Sequence, residues 1–192
     1  MTQRLASALI LLVLAGAPVC GADYPLRGEF LQLSSRAHPG GSRVRFGATG
    51  GLSDERAREG ADPSVSGAIL EVVGDGVLGA DAPPVSLPAA TWRALGDPPG
   101  SRGFRYFDRS ARFGVRRLSL RFGTVTSLSL TAGGSAWPYR TTGSPGTVMV
   151  RLSIGGDVYC AAFQTFQRRR RGALVARYNP PPASCTADAP NG

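Results

Sequence analysis

The sequence is poor in the residues that build metal centres, long helices and membrane spans. It contains one histidine, three cysteines and no lysine, so all 22 of its basic residues are arginine. One histidine and three cysteines hardly supply a zinc ligand set, and we expect neither a metal nor a cofactor. Only one long apolar run is present, which excludes a polytopic membrane protein. Helical periodicity is scarce, and the compositions of collagen and of coiled coils are absent.

Positive charge is present in excess. The 22 basic residues stand against 13 acidic ones, which gives a formal net charge of +9. Arginine, alanine, glycine and proline all have GC-rich codons, so a GC-rich genome is the simplest cause of this composition. A charge of this size still favours attraction to anionic glycans, lipids or nucleic acid. The sequence has no paired Cys/His finger, basic helix or aromatic RNP-like string, so it predicts no specific nucleic-acid partner.

The N-terminal segment has the order of an export signal. Met1-Thr2-Gln3-Arg4 carries one positive charge, an apolar run covers Leu5 to Ala17, and the small residues Cys20-Gly21-Ala22 follow. This order predicts a signal peptide over residues 1–22, cleaved after Ala22. The mature chain, residues 23–192, is then a secreted or periplasmic domain without a transmembrane segment.

The three cysteines divide between the two ends of the chain. Cys20 follows the apolar run and opens an alternative, in which it becomes the lipid-modified first residue of an envelope lipoprotein. Its preceding residues, Ala17, Pro18 and Val19, match that pattern poorly. Either route leaves Cys160 and Cys185, and an even pair in an exported chain predicts one disulfide.

Apolar residues alternate with polar ones at period two, which is the pattern of half-buried strands. The clearest case has apolar residues at the even positions from 148 to 154, a tight turn at Gly155-Gly156, and a return strand from Val158 to Phe163. A tight turn places Cys160 opposite Arg151 on the outer face. The disulfide would then clip the proline-rich tail, residues 179–185, across this hairpin as an extended strap.

Further strands complete one domain. A second hairpin is predicted from alternation over Leu118 to Phe122, a turn at Gly123, and a return strand that includes Val125. Residues 74–88 and 98–101 are rich in glycine and proline and predict loops, while Ser53–Gly60 suggests a short helical turn. We therefore predict an all-β fold, a single antiparallel β-sandwich of about eight to ten strands. Weaker strand candidates are Phe30–Leu33, Val44–Phe46, Ala68–Val73 and Phe104–Phe107.

Several short motifs occur in a characteristic order. Gly103-Phe104-Arg105-Tyr106 with Asp108 precedes the two hairpins, Tyr159-Cys160-Ala161-Ala162-Phe163 follows, and Pro182-Ala183-Ser184-Cys185 ends the tail. Upstream lies Asp62-Pro63-Ser64-Val65-Ser66-Gly67-Ala68. In this order the motifs resemble a set of uncharacterised secreted domains of GC-rich, myxobacteria-like bacteria. The resemblance implies a small exported β-sandwich and carries no activity.

No arrangement in the sequence marks an active site. A G-x-S-x-G elbow is missing, and the only histidine, His38, lies in a Pro-Gly-Gly loop that predicts a surface residue. Asp97 and Asp108 flank the predicted strand at 104–107 and are the candidate pair for a glycoside hydrolase, although loop aspartates commonly form turns. The acidic residues Asp54, Glu55, Glu59 and Asp62 lack the spacing of an EF-hand.

Two groups of residues are candidates for ligand binding. Aromatic rings stack on the C–H faces of sugars, or alternatively fill the ends of the sandwich. The run of four arginines predicts a solvated hairpin tip, with an anion-binding tip or a processing site as alternatives. The candidates are Trp92, Tyr106, Trp137, Tyr139, Arg168, Arg169, Arg170 and Arg171.

Together these features predict a non-enzymatic, exported β-sandwich that serves as a structural or binding module of the cell envelope or exterior. Its expected partner is a polysaccharide or another anionic surface polymer, bound through the arginine run and the loop that carries Trp137. The alternatives are an exported hydrolase that uses loop carboxylates and a lipid-anchored envelope subunit.

Overall fold

The computed structural model describes residues 21–34, 41–50, 62–74, 77–78, 84–141, 145–169 and 173–186. Several sequence predictions lie outside these ranges. Among them are residues 1–20 of the predicted signal peptide, the helical turn predicted at Ser53–Gly60, and the predicted loop position of His38.

The predicted all-β fold is confirmed. Ten strands of the described chain have four or more residues, and five shorter ones pair with them or with each other. The strands are β1 (Asp23–Pro25), β2 (Arg27–Ser34), β3 (Arg43–Gly50), β4 (Ala68–Gly74), β5 (Val77–Leu78), β6 (Val85–Leu87), β7 (Trp92–Leu95), β8 (Gly103–Phe107), β9 (Val115–Arg121), β10 (Thr126–Gly133), β11 (Arg140–Thr141), β12 (Val148–Ile154), β13 (Asp157–Phe163), β14 (Gln167–Arg168) and β15 (Leu174–Asn179).

Helical structure in the described ranges is confined to two short turns. One is a four-residue helix, α1 (Pro63–Ser66), and the other is a 3₁₀ turn at Ala89–Thr91. The side chain of Asp62 caps α1 by accepting from the Ser64 backbone N–H at 2.7 Å. Neither helix has the length or the apolar character required to cross a membrane.

Two sheets pack face to face around one core. The smaller has five strands in the order β1-β13-β12-β4-β6, and the larger has eight in the order β14-β15-β2-β3-β10-β9-β8-β7. Strands β11 and β5 form a separate two-stranded pair. All described pairings are antiparallel except β1–β13, which is parallel. This is the sandwich that alternating apolar strands predict, because each sheet buries one face against the other.

The hairpin β12–β13 has the predicted register. Arg151 pairs with Cys160, and Leu152 pairs with Tyr159. The apolar residues at even positions of β12 are all buried, which confirms the inward face. A tight turn at Gly155-Gly156 is sufficient to fix this register, since the side-chain period of a strand is two.

Two sequence predictions about strand limits are wrong. Val125 is half exposed (51%) in the turn, and the return strand β10 begins one residue later at Thr126, which is fully buried. The segment 74–88 is not only a loop, because β5 lies within it and β6 pairs with β4. Both short strands form by pairing with segments that are not adjacent to them in the chain, and local composition does not predict such pairing.

Contact between the sheets is made by large side chains that meet across the interior. Phe46 of β3 packs edge-to-face on Phe163 of β13, with ring centroids 5.8 Å apart. Gly28 of β2 makes room for this ring, since a Cβ at Gly28 would lie 2.6 Å from Phe163 Cε1. Each buried ring or leucine of this core contributes roughly 1.5–3 kcal/mol of transfer free energy.

The predicted disulfide is present and lies on the outside of β13. Cys160 and Cys185 are bonded, and both are buried by the tail that crosses them. The Cys185 backbone N–H also donates to Asp23 Oδ2 at 3.0 Å. The tail therefore covers the outer face of the hairpin as predicted, and it additionally holds the N-terminal strand β1.

Candidate functional site

The four aromatic candidates do not form a ligand surface. Trp92 and Tyr106 pair across β7 and β8 with ring centroids 5.5 Å apart, and Trp137 and Tyr139 lie 5.1 Å apart. All four are buried, with at most 4% of their surface exposed. The prediction that these rings stack on a glycan is therefore wrong, because no sugar reaches their faces. The four rings are part of the hydrophobic core instead.

The described part of the arginine run, Arg168 and Arg169, lies in one arm of a hairpin, as predicted. Its flanks pair in register, Arg168 with Leu174, and the Arg169 backbone N–H donates to Ala173 O at 2.7 Å. Arg168 and Arg169 are exposed. Arg169 Nη2 donates to Gln167 Oε1 at 3.3 Å. Arg170 and Arg171 lie outside the described residues.

The two loop carboxylates have different surroundings. Asp97 is exposed, whereas Asp108 is buried and accepts from Ser110 N at 3.0 Å, Ser110 Oγ at 2.6 Å and Arg112 N at 2.9 Å. The hydrogen bond from the Ser110 hydroxyl is the main reason that the pKa of Asp108 is lowered. A general acid needs a raised pKa, so the hydrogen bonds of Asp108 are those of a turn-forming residue instead.

No metal centre is seen in the described ranges. No group of three or more His, Cys, Asp or Glu side chains in them is arranged to hold an ion. Of the acidic cluster considered from the sequence, Asp62 caps α1, and Asp54, Glu55 and Glu59 lie outside the described residues.

The larger sheet has an outer face built of arginines. In β3, Val44 and Phe46 point into the core while Arg43 and Arg45 point to solvent. The same alternation in the neighbouring strands turns further arginines outward, and strand pairing sets them in rows. Eight arginines occupy outward positions of this sheet and are called the arginine face: Arg27, Arg43, Arg45, Arg93, Arg105, Arg117, Arg121 and Arg177.

Charge is distributed unequally between the two sheets. The strands of the larger sheet carry ten arginines and one acid, a net charge of +9. The strands of the smaller sheet carry one arginine and three acids, a net charge of −2. The single arginine of the smaller sheet, Arg151, is paired with Glu71 at 3.1 Å. A strong positive potential therefore covers one side of the sandwich.

Like charges are direct neighbours on the arginine face. Arg93 and Arg105 are cross-strand partners, an arrangement that destabilises a sheet. The one acid of these strands, Glu29, accepts from Thr49 Oγ1 at 2.7 Å. Within the described chain, none of the eight face arginines forms a salt bridge with a carboxylate.

At one end of the face the arginines border a groove of about 490 Å³. Arg43 and Arg45 of β3 form one side, and Arg116 reaches it from β9 because a β-bulge interrupts the pairing of β9 with β10. Ser110 and Ala111, from the loop that Asp108 stabilises, form the far wall. The remaining lining residues are Val44, Thr131, Ala132, Gly133, Gly134 and Ser135.

Two glycines in the lining of the groove, Gly133 and Gly134, carry no side chain that could fill it. Gly133 is the cross-strand partner of Arg43, and a Cβ at Gly133 would lie 3.0 Å from Arg43 Cγ. A Cβ at Gly134 would have no neighbour within 4 Å. Both glycines have positive φ, at +150° and +102°, which favours glycine at these positions.

Sequence reasoning missed both the face and the groove. The alternation of arginine with apolar residues is visible in Arg43-Val44-Arg45-Phe46 and in Arg117-Leu118-Ser119. It shows that these arginines point outward, but not that β3, β10 and β9 are adjacent. Comparison of the chain with protein-family models, curated proteins and solved structures gives no significant match. The resemblance to secreted bacterial domains accordingly stays a prediction.

Proposed function

We propose that this protein is an exported, non-catalytic module that binds an anionic polysaccharide of the cell envelope or exterior through its arginine face. The observation that carries the proposal is the segregation of charge, +9 on the strands of one sheet and −2 on those of the other. The disulfide supports the export part, because such bonds persist in oxidising compartments.

The geometry of the face suits an extended polymer. Neighbouring strands lie about 4.8 Å apart, so the outward arginines form rows of cations across the sheet, with β10, which has no arginine, between β3 and β9. Guanidinium groups bind carboxylate, sulfate and phosphate by paired N–H donors. A polyanion laid on the array would relieve the repulsion between like neighbours such as Arg93 and Arg105, which gives that repulsion a functional explanation.

The state of two exposed aromatic rings on the same face, Phe107 and Phe30, argues against single-stranded nucleic acid as the ligand. The Phe107 ring has the Arg117 guanidinium over it, 5.8 Å from its centroid. The Phe30 ring lies over Gly47, where a Cβ would approach Phe30 Cε1 to 2.5 Å. Both rings are thus partly covered by their own chain, whereas proteins that bind single strands use free rings on which bases stack.

The test compares dextran sulfate with neutral dextran as probes for the purified, oxidised protein. We expect the protein to bind dextran sulfate and not neutral dextran. Its affinity for dextran sulfate should fall at least about tenfold from low to high salt, because salt screens surface charges. No binding to dextran sulfate at low salt, or binding that salt does not weaken, contradicts the proposal.

A charge-matched pair of variants locates the site. Arg93→Gln/Arg105→Gln removes two charges from the face, and Arg168→Gln/Arg169→Gln removes two from the hairpin. We expect the first to weaken binding more, while its thermal stability stays equal or rises because a like-charge contact is lost. A larger effect from the hairpin variant would place the site at the arginine run instead.

A further inference from the structure

The groove at one end of the arginine face is lined by arginines from two separate strands, and this arrangement bears on which anion it can bind. Elsewhere the arginines lie in rows on one face of the sheet, but here Arg43 and Arg45 of β3 and Arg116 of β9 line the same groove, with β10 between the two strands. On one strand, alternate residues lie roughly 7 Å apart, and β9 is two strand spacings, roughly 10 Å, from β3. A group in the groove is therefore approached by cations from two sides.

We propose that this groove holds a pendant sulfate or phosphate monoester of the bound polysaccharide, and that it gives the protein a preference for such groups over carboxylates. The inference rests on the proposed function. A carboxylate has only two oxygens, both in one plane, and one guanidinium fork engages both of them. A monoester has three terminal oxygens directed to different sides, so it can accept from guanidiniums on both walls at once.

The described lining suits an anion. Among the described residues that border the groove there is no carboxylate; they are three arginines, three hydroxyl residues and small or apolar side chains. Ser110 Oγ already donates to Asp108 Oδ1, which leaves the hydroxyls of Thr131 and Ser135 as additional donors. None of the three guanidiniums has a hydrogen-bond or ion-pair partner among the described residues.

The shape of the groove favours a terminal group over a backbone diester. Its volume of about 490 Å³ lies in the range of small-molecule sites, roughly 300–1,000 Å³, and leaves room for the sugar that carries the ester. A phosphodiester of nucleic acid has two free oxygens and is flanked by sugar on both sides. It cannot present three oxygens to the two walls.

The experiment measures the affinity of the full oxidised protein for four probes of matched charge density: dextran sulfate, dextran phosphate, carboxymethyl dextran and double-stranded DNA. For the unchanged protein we expect the two monoester polymers to bind about tenfold more tightly than carboxymethyl dextran, which is the effect of one additional charge-assisted hydrogen bond. The sulfate and phosphate arms show which monoester is preferred. Equal affinity for ester and carboxylate polymers, or tighter binding to DNA, overturns the inference.

Two triple variants with the same loss of charge separate selectivity from attraction. Arg43→Gln/Arg45→Gln/Arg116→Gln should reduce the tenfold preference to about one. Arg93→Gln/Arg105→Gln/Arg121→Gln should weaken ester and carboxylate polymers by the same factor and keep the preference. If the groove variant keeps the preference for ester polymers, the groove inference is wrong but the proposed function still stands. If the unchanged protein binds none of the polymers, the proposed function itself is wrong.

A second measurement needs no variant. Sodium sulfate and sodium acetate are compared at equal ionic strength as competitors of labelled dextran sulfate on the unchanged protein. At the same ionic strength, sulfate should displace several-fold more of the polymer than acetate does, because it fits the groove in addition to screening the face. Equal displacement by the two salts contradicts the inference even if a triple variant folds poorly.

Discussion

Removal of the Cys160–Cys185 disulfide should destabilise the domain at both ends of the chain. The perturbation is the double variant Cys160→Ala/Cys185→Ala, which avoids leaving one reactive thiol. The bond joins β13 to the tail, and the same tail residue donates its backbone N–H to Asp23 of β1. Without the bond, the tail is held by few other contacts, and β1 loses a partner that fixes its parallel pairing with β13.

The magnitude follows from the length of the closed loop. The two cysteines are separated by 25 residues, and the chain-entropy relation gives about 3.5 kcal/mol for a loop of that length. For a domain of this size, 1 kcal/mol corresponds to about 2–4 °C in the midpoint of thermal unfolding. The variant should therefore unfold roughly 7–14 °C below the unchanged protein.

The assay is thermal unfolding followed by circular dichroism, together with limited trypsin digestion. Arg177 is exposed and is the last arginine of the sequence, so cleavage after it frees the tail only when the disulfide is missing. The tail peptide should appear as a free fragment in the variant and stay attached in the oxidised protein. A midpoint lowered by less than about 2 °C would refute the account of the strap as a structural tie.

Three further predictions concern Asp108, Gly114 and the arginine run. Asp108→Asn should lower stability by about 1–2 kcal/mol, because the new amide nitrogen cannot accept the Arg112 backbone N–H; guanidinium unfolding measures it. The native pKa of Asp108 is lowered. Its ionised form therefore contributes fully to folding stability above the unfolded-state pKa of about 3.9, and this contribution is lost as pH falls through the native pKa. The variant should accordingly lose less stability in acid than the unchanged protein. Gly114→Ala should lower folding stability by at least about 2 kcal/mol, because φ is +76° and the new Cβ would lie 2.7 Å from Trp137 Cα. The control is Gly134→Ala, which should lower it by about 1 kcal/mol because the space around that position is open. Equal losses of stability would contradict the steric argument. Replacing the arginine run 168–171 with serine should leave the unfolding midpoint within about 2 °C, and a collapse in folding yield would show that the hairpin is packed.

The parts of the fold that the sequence predicted depend on contacts between neighbours in the chain. The register of β12 with β13 follows from one tight turn and a side-chain period of two, so Arg151 opposite Cys160 needed no further information. The disulfide followed from the even count of cysteines that remain in a chain predicted to be exported. Val125 was placed wrongly because an apolar residue beside a turn has the same pattern whether it lies inside or outside the strand.

The parts that were missed depend on which strands become neighbours. Strand β3 lies between β2 and β10, and β10 comes some 80 positions later in the chain, so the row Arg45–Thr131–Arg117 exists only in the folded sheet. The aromatic candidates were overvalued for a related reason. A tryptophan beside a glycine-rich loop can plug the core or face solvent, and only the packing of the second sheet determines that Trp137 is buried.

The position of the arginines is a stronger argument for a ligand than their number. A GC-rich genome would explain why the basic residues are arginine. Codon bias, however, does not depend on which strands become neighbours in the folded sheet. If mutation bias alone placed these residues, acids would be expected to appear among them on an exposed sheet, because opposite charges across strands stabilise it and like charges do not. Instead, the strands of the larger sheet keep ten arginines with Glu29 as their one acid, and Arg93 lies directly opposite Arg105. This pairing of like charges lowers the stability of the free protein. A bound polyanion would neutralise the charges and stabilise the complex, which supports the proposal that the face binds one.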